Sequence, residues 1–307
     1  MEKSKIKIAR EILRIRLSQM IINEGLKKDD FKIPIHLALG HEAVAVAVDA
    51  MIEGEDKLVL SHRNIHYNLA RTKMLKPELD EYLLKKDGVA GGQLGSMNLA
   101  NEERNIVYTS SILGNNLAVA AGIALGEKIK GSNGLVIVVA GDGAIEEGSF
   151  YESLVFLKSN GLSSLVLIEN NCWSLATRID ERRCSIDVQK IAESLGFRYE
   201  KLVGNDTYQY IEKLKAVRQH VLENKTPAVV EVEITTLGGY YLKTEENPEP
   251  RFINYHAGPA PEISLREWPL IEESSRDPVF ILLEYCRKSV LETASWEILE
   301  ELKNEIR

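Results

Sequence analysis

LVIVVAGDGAIEEGSFYESLVFLKSNGLSSLVLIENN, residues 135–171, decides the fold. It opens on an apolar run, Leu135–Ala140, that reaches Gly141 without any polar alternation. A strand apolar on both faces must be covered on both sides, as central parallel strands are. A helix is predicted from about Glu147 to Ser159, and a second apolar run, Ser164–Glu169, gives the next strand. Parallel strands joined by one helix bring their carboxyl ends side by side, and open α/β sheets bind ligands outside those ends. Asp142 and Asn171 then meet. A carboxylate and an amide oxygen are hard donors that suit magnesium or calcium rather than zinc. Gly141 and Gly143 leave the backbone open to a diphosphate, and the N-terminus of the following helix offers it N–H donors. The residues by themselves thus reach a metal-bridged diphosphate at a strand end. A GDG turn with no ligand is the plainer alternative, and the matched pair on successive strand ends outweighs it.

Outward from this stretch the rhythm continues. Ile191–Ser194 and Ile211–Leu222 are predicted helices and Ala228–Ile234 a further strand, which together indicate an α/β fold. Its expected form is a doubly wound parallel sheet with helices on both faces. Upstream, Ile8, Ile12, Ile15 and Ile22 recur at helical spacing, with Lys7, Arg10 and Arg14 on another face, the pattern of an amphipathic helix. A helix over Gly40–Met51, a short strand at Lys57–Ser61 and a glycine-rich loop over Lys86–Asn98 follow. Leu117–Leu125 is rich in alanine and glycine, with Gly122 and Gly126 four apart, and tight core packing is the preferred reading over an oligomer seam. Lys243–Pro261 reads as an irregular excursion and Asp277–Arg307 as acidic helix. The expected division is an α/β domain at residues 1–262 and a C-terminal helical extension at 263–307.

Composition removes several classes of function. The 307 residues carry a net charge of -8, and a nucleic-acid partner needs a basic face. No apolar stretch approaches the roughly 20 residues that span a bilayer. Cys172, Cys184 and Cys286 are far apart and without metal-ligand spacing, which suits a reducing cytoplasm, and the six histidines form no zinc motif.

The run GDGAIEEGSFYESLVFLKSNGLSSLVLIENN resembles the thiamine diphosphate motif that opens on GDG and closes on NN. Its surroundings resemble the alpha subunit of the first component of the 2-oxo acid dehydrogenases of pyruvate, branched-chain and acetoin type. His36–Ala43 (HLALGHEA) is similar to that family's HLxxGQEA, Ser61-His62-Arg63 to its diphosphate-binding segment, and Gly95-Ser96-Met97 to its GSMH. Ile112-Leu113-Gly114, Ala121–Leu125 and Arg276-Asp277-Pro278 match further segments, so the likeness covers nearly the whole chain. The resemblance implies thiamine diphosphate held through Mg2+, with Asp142, Asn171 and the backbone carbonyl of Trp173 as metal ligands. It implies diphosphate contacts from Gly141, Gly143 and Ala144, and from Arg63, with His62 where the family often has tyrosine. Leu113 would meet the aminopyrimidine ring through its backbone, with Ser111 beside it. The activating glutamate of this family belongs to the beta subunit, so the resemblance implies an α2β2 assembly with shared active sites and no catalysis by this chain alone.

The chain departs from its relatives where substrate is handled. After Ala228–Ile234 the dehydrogenases carry a His-Gly-His loop, and here Thr235–Tyr241 has no histidine. Arg63-Asn64-Ile65-His66 shifts the register of the histidine that follows the diphosphate arginine, and Asn98 fills the histidine slot of GSMH. Proton transfer at a reacting carbonyl needs such groups. Their loss speaks against passing an acyl unit to a lipoyl carrier protein. Ile234–Gly238 and Asn254–Gly258 look more like transketolases and deoxyxylulose-phosphate synthases, so His256, beside His66, is the candidate catalytic histidine; a solvent-exposed loop histidine is the alternative. The expected function is cleavage of a C–C bond next to a carbonyl in a small substrate, as 2-oxo acid decarboxylation with acyl transfer. Ketol transfer of transketolase type and a non-catalytic scaffold subunit are the alternatives. Ser174–Ser185, polar and charged just after the metal ligands, is expected to be a lid that orders on cofactor, against a permanently ordered loop.

Overall fold

The computed structural model describes residues 2–243 and 249–307. Its sheet contains β1 (Lys57–Ser61), β2 (Ile106–Ser110), β3 (Val136–Gly141), β4 (Ser164–Asn170), β7 (Arg198–Leu202) and β8 (Ala228–Glu233) in the order β2-β1-β3-β4-β8-β7, every pairing parallel. Two small antiparallel pairs stand apart: β5 (Trp173–Ser174) with β6 (Thr177–Arg178), and β9 (Tyr240–Leu242) with β10 (Arg251–Ile253). The helices are α1 (Glu2–Lys27), α2 (Glu42–Met51), α3 (Ile65–Thr72), α4 (Lys76–Tyr82), α5 (Asn115–Lys130), α6 (Gly148–Ser159), α7 (Ile179–Arg182), α8 (Val188–Ser194), α9 (Thr207–Asn224), α10 (Pro278–Ile281) and α11 (Lys288–Glu305).

The doubly wound sheet expected from residues 135–171 is present, and its core shows why those strands carry no polar alternation. Successive side chains of a strand face opposite ways. Val136, Val138 and Ala140 of β3, with Val166 and Ile168 of β4, pack into one core with Leu117 and Ala120 of α5 and Phe150 and Leu154 of α6. The intervening Ile137, Val139, Leu165 and Leu167 belong to a larger core on the opposite face, shared with α1, α2 and α9. Edge strands β2 and β7 (IVYTS and RYEKL) are more polar and partly exposed, so the hydrophobic pattern did not announce them.

Two expectations are corrected. Gly122 and Gly126 do not pack into the core: a Cβ on either would meet nothing within 4 Å. The buried side of α5 is carried by Leu117, Ala120, Ala121 and Ala124, and the two glycines lie on its outer side. The excursion at Lys243–Pro261 is not wholly irregular, because Arg251–Ile253 pairs with Tyr240–Leu242 as a hairpin; its positions 244–248 lie outside the described residues.

Residues 263–307 share the larger core through Val279, Leu291, Ile298 and Leu302. The basic face of α1 meets α11, where Arg10 bonds Glu297 and Glu301, and Arg14 bonds Glu301 and Glu305. Deeper in, the fully buried Arg16 donates to both oxygens of Glu42 at 2.6 and 3.1 Å and to Asp277 Oδ1 at 2.8 Å. This pairing ties α1 to the start of α2 and to the segment leading into α10. Arg16→Ala would strand two buried carboxylates and is expected to cost about 3–5 kcal/mol in urea unfolding. Arg10→Ala breaks more exposed pairs and is expected to cost at most about 1 kcal/mol.

Candidate thiamine diphosphate half-site

The cavity opens at the carboxyl ends of β1, β3 and β4. In the β3–β4 ladder Gly141 stands opposite Glu169, and Asp142 N–H donates to the Glu169 carbonyl at 3.1 Å. The chains leaving the two strands are therefore neighbours. The alternation of β4 separates its last residues. Asn170 turns to Glu231 (2.8 Å), while Asn171 donates to Thr236 Oγ1 at 2.9 Å and lines the cavity. Cys172 and Leu175 adopt left-handed backbone (φ 61° and 52°), uncommon for side chains of this kind, in the turn that carries Trp173 and Ser174 over the opening.

Asp142 is buried. Burial pushes its carboxyl upward, against the pull of Arg182, whose Nη2 lies 2.6 Å from Asp142 Oδ2. Arg182 also donates to Glu146 at 2.5 Å, and Arg183 reaches the same carboxylate at 3.0 Å. Ser174–Ser185 thus holds α7 and all of the β5–β6 hairpin but Trp173, and two arginines that sequence reading did not single out hold it onto the site. A divalent cation held by Asp142 would take the place of the Arg182 guanidinium.

Arg63 is also buried and lines the same cavity, where burial lowers its pKa. It donates to the carbonyls of Leu37 and His256, the latter at 3.0 Å, and among the described residues no carboxylate pairs with it. A buried guanidinium without an anion calls for one. The donor set therefore fits the implied group: Arg63 for a diphosphate, Asp142 and Asn171 for a hard cation. Gly141, where a Cβ would meet nothing within 4 Å, leaves open space between them.

Three histidines stand on the Arg63 side. The ring of His36 packs edge-on against His62 (centroids 4.8 Å apart) and His256 (4.9 Å), and His62 and His256 line the cavity. Burial is the main force holding all three neutral, with Arg63 adding to it: His36 falls to about 2, His62 and His256 to about 4. His66, by contrast, is fully buried one layer back and does not line the cavity. Its Nε2 lies 2.9 Å from Glu169 Oε1, which also accepts from Tyr67 at 2.8 Å, while Glu169 Oε2 lies 3.3 Å from His41 Nδ1. Burial opposes ionisation of Glu169, but His66 and His41 outweigh it and the carboxyl stays well below its usual range.

Leu113, Gly143, Ala144 and Trp173 all line the cavity. Ser111 is exposed and outside the lining, where Ser110 stands instead. Sequence reading missed Glu169, His41 and Arg182. Each left a trace: a carboxylate ending an apolar strand, a histidine in the glutamine slot of HLALGHEA, and an arginine in a charged loop after the metal ligands.

The dehydrogenase E1 component family matches residues 14–240. The pyruvate dehydrogenase E1 component subunit alpha of Rickettsia bellii is 30% identical over 273 residues, covering 83% of this chain and 82% of that one. The corresponding Rickettsia felis subunit is 29% identical over 275 residues (89% and 78%), and the mitochondrial somatic form of Pan troglodytes is 25% identical over 305 residues (98% and 72%). Among solved structures, a transketolase from Campylobacter jejuni superposes with a TM-score of 0.61 at 17% identity, over 97% of this chain and 48% of the transketolase, a likeness of fold alone. The chain belongs to the dehydrogenase E1 component family, the thiamine diphosphate-dependent enzymes of 2-oxo acid oxidation. Within it, the chain is of the alpha type, which works in a heteromeric complex with a beta subunit.

The histidine cluster makes stability pH-dependent. An unfolded histidine titrates near 6.5, whereas His62 and His256 in the fold titrate near 4. Between those values the unfolded chain binds more protons, so stability is lost as pH falls through that window. The melting temperature is expected to drop between about pH 7 and pH 5, and His256→Asn to shrink the drop; an unchanged drop in the variant would exclude His256 as a contributor.

Proposed function

We propose that this chain is the diphosphate- and metal-holding half of a 2-oxo acid decarboxylase whose other half is a beta-type subunit. The observation that carries the reading is the meeting around one cavity of Asp142, Asn171 and Arg63, which has no paired carboxylate among the described residues. Asp142, the Asn171 amide oxygen and the Trp173 carbonyl hold Mg2+. Arg63, His62 and the backbone of Gly141, Gly143 and Ala144 hold the diphosphate, and the backbone of Leu113 meets the aminopyrimidine. When bound, thiamine diphosphate supplies the carbanion chemistry that breaks the bond beside the carbonyl. Neutral His62 and His256 face the same cavity, and each can donate its one ring N–H to the substrate's carbonyl oxygen. His66 acts from behind through Glu169. Ser111 lies outside the lining and is kept only as a neighbour of Leu113.

The beta-type subunit docks on the outer face of α5 and α6. Ile129 (77% exposed), Val155 (51%) and Phe156 (40%) make that face apolar, and Gly122 and Gly126 let a partner backbone approach. The face continues into Ile112 and Leu113 at the cavity mouth, where a partner's glutamate could reach the cofactor. We take the assembly to be α2β2, as the family resemblance implies. The site residues all fall within 1–262, the cofactor-binding domain, and 263–307 is the helical extension that braces it. No described helix is long and apolar enough to cross a membrane, and we place the enzyme in the cytoplasm.

Pyruvate, which the names of the relatives give, is the first donor to test. One observation favours a second reading. His256 lies in the cavity, from the stretch that resembles transketolases, so a ketose phosphate is the rival donor. A lipoyl carrier protein is the acceptor under the first reading only. The test is co-expression with the beta-type subunit and a donor screen. Carbon dioxide release from 2-oxo acids is expected, and ketol transfer without it would establish the rival. Asp142→Ala is expected to abolish Mg2+-dependent binding of thiamine diphosphate in calorimetry; normal binding would remove the metal assignment.

A further inference from the structure

Behind the proposed metal ligands lies a hydrogen-bond chain with a single polarity: Glu169, His41, Thr236, Asn171. His41 Nδ1 lies 3.3 Å from Glu169 Oε2, His41 Nε2 lies 2.9 Å from Thr236 Oγ1, and Asn171 Nδ2 lies 2.9 Å from the same Thr236 oxygen. All but Asn171 are buried. We propose that this chain is a positioning device that sets the side-chain amide of Asn171 so that its oxygen, and not its NH2 group, is available to the metal. The proposal rests on the reading of Asn171 as a metal ligand and adds the residues that make it one.

The polarity follows from donor and acceptor inventory. Glu169 Oε1 accepts from the Tyr67 hydroxyl at 2.8 Å, and its other oxygen faces His41 Nδ1 at 3.3 Å, so His41 donates to the carboxylate from Nδ1. Its Nε2 is then a bare lone pair, and the Thr236 hydroxyl must donate to it. With its proton committed, Thr236 Oγ1 offers only lone pairs and must accept from Asn171 Nδ2. The Asn171 oxygen is thereby turned the other way. There it accepts the Trp173 backbone N–H at 3.0 Å, leaving its second lone pair for a cation. A flipped amide would set oxygen against oxygen at Thr236 and NH2 against N–H at Trp173.

Geometry upstream and downstream serves the same contact. Gly40 precedes His41 at φ +96°, and a Cβ there would lie 2.0 Å from the Thr235 carbonyl oxygen. Only glycine lets the start of α2 come this close to the segment that carries Thr236. Leu237 N–H donates to the Leu39 carbonyl at 2.8 Å and closes the other side. Glu169 is itself fixed by His66 and Tyr67, which assigns His66 a place in this chain rather than at the substrate. The same logic accounts for glutamine in the related motif HLxxGQEA. An amide at position 41 can donate to Glu169 with its nitrogen and accept from Thr236 with its oxygen.

The experiment is Mn2+ binding, followed by the electron paramagnetic resonance signal of free Mn2+, to the chain assembled with its beta-type subunit in excess thiamine diphosphate. Thr236→Val removes the hydroxyl at constant shape and is expected to weaken Mn2+ binding by roughly 10- to 100-fold, the usual effect of removing a group that orients a metal ligand. Thr236→Ser restores the hydroxyl and is expected to recover most of that loss, which a merely structural defect would not do. His41→Gln keeps the polarity and is expected to bind like the wild type, whereas His41→Met is expected to fall with Thr236→Val. This second pair decides the matter if the valine variant does not fold. Wild-type affinity in both Thr236→Val and His41→Met, or a serine variant no better than valine, overturns the proposal. Asp142→Ala separates it from the underlying site reading. If that variant also binds Mn2+ normally, the metal site is elsewhere and both fall; if it alone loses binding, the site stands and the positioning chain falls.

Discussion

The parallel pairing of β3 with β4 is the constraint on which the rest depends. With Gly141 opposite Glu169, the residues that follow each strand leave the sheet at the same level, and the Asp142 N–H closes the ladder on the Glu169 carbonyl. A slip of one residue would send Asn171 to the side Asn170 now occupies, toward Glu231, and expose the apolar set of one face. The cores on both faces of the sheet, packed against α5 and α6 on one side and α1, α2 and α9 on the other, enforce the register. Hydrophobic burial distributed over two layers thus fixes the spacing of two polar side chains at one edge.

Charge is distributed around that edge in an uneven way. Among the described residues Arg63 is buried against two backbone carbonyls and the Tyr255 ring with no carboxylate paired to it, while Asp142 and Glu146 share the guanidinium of Arg182. One side of the cavity thus holds a cation with no paired carboxylate among the described residues, and the other a carboxylate whose cation is mounted on a hairpin and a single helical turn. A diphosphate bridged by a divalent cation would satisfy both sides together, its negative charge answering Arg63 and the metal answering Asp142. The histidines stay neutral because burial and Arg63 both disfavour their protonation. The environment that asks for an anion also keeps the neighbouring imidazoles free to hydrogen-bond.

Much of this was legible in the chain. Leu135–Ala140 and Ser164–Glu169 read as buried parallel strands because each is apolar on both faces, and their terminal residues read as ligands because strand ends are where such sheets bind. Strands β2 and β7 were not legible, since a half-exposed edge strand has no continuous apolar signal. Gly122 and Gly126 were read inward because small residues permit close packing on either side of a helix, and nothing local says which side is the core. His66 drew notice as a displaced active-site histidine, yet it is fully buried behind Glu169.

What the sequence by itself determined is the sheet, and with it the expectation that Asp142 and Asn171 share one strand-end site; Arg63 joins them only through the family resemblance. The sheet follows from local periodicity, and the pairing of Asp142 with Asn171 from where successive parallel strands end. What only the tertiary structure decided is the company those residues keep. Arg182 on Asp142, His256 beside His62, and the hydrogen-bonded series Glu169, His41, Thr236 and Asn171 join segments from 40 to 195 positions apart. Hydrogen-bond polarity and desolvation depend on three-dimensional neighbours, and no periodicity in the chain encodes them.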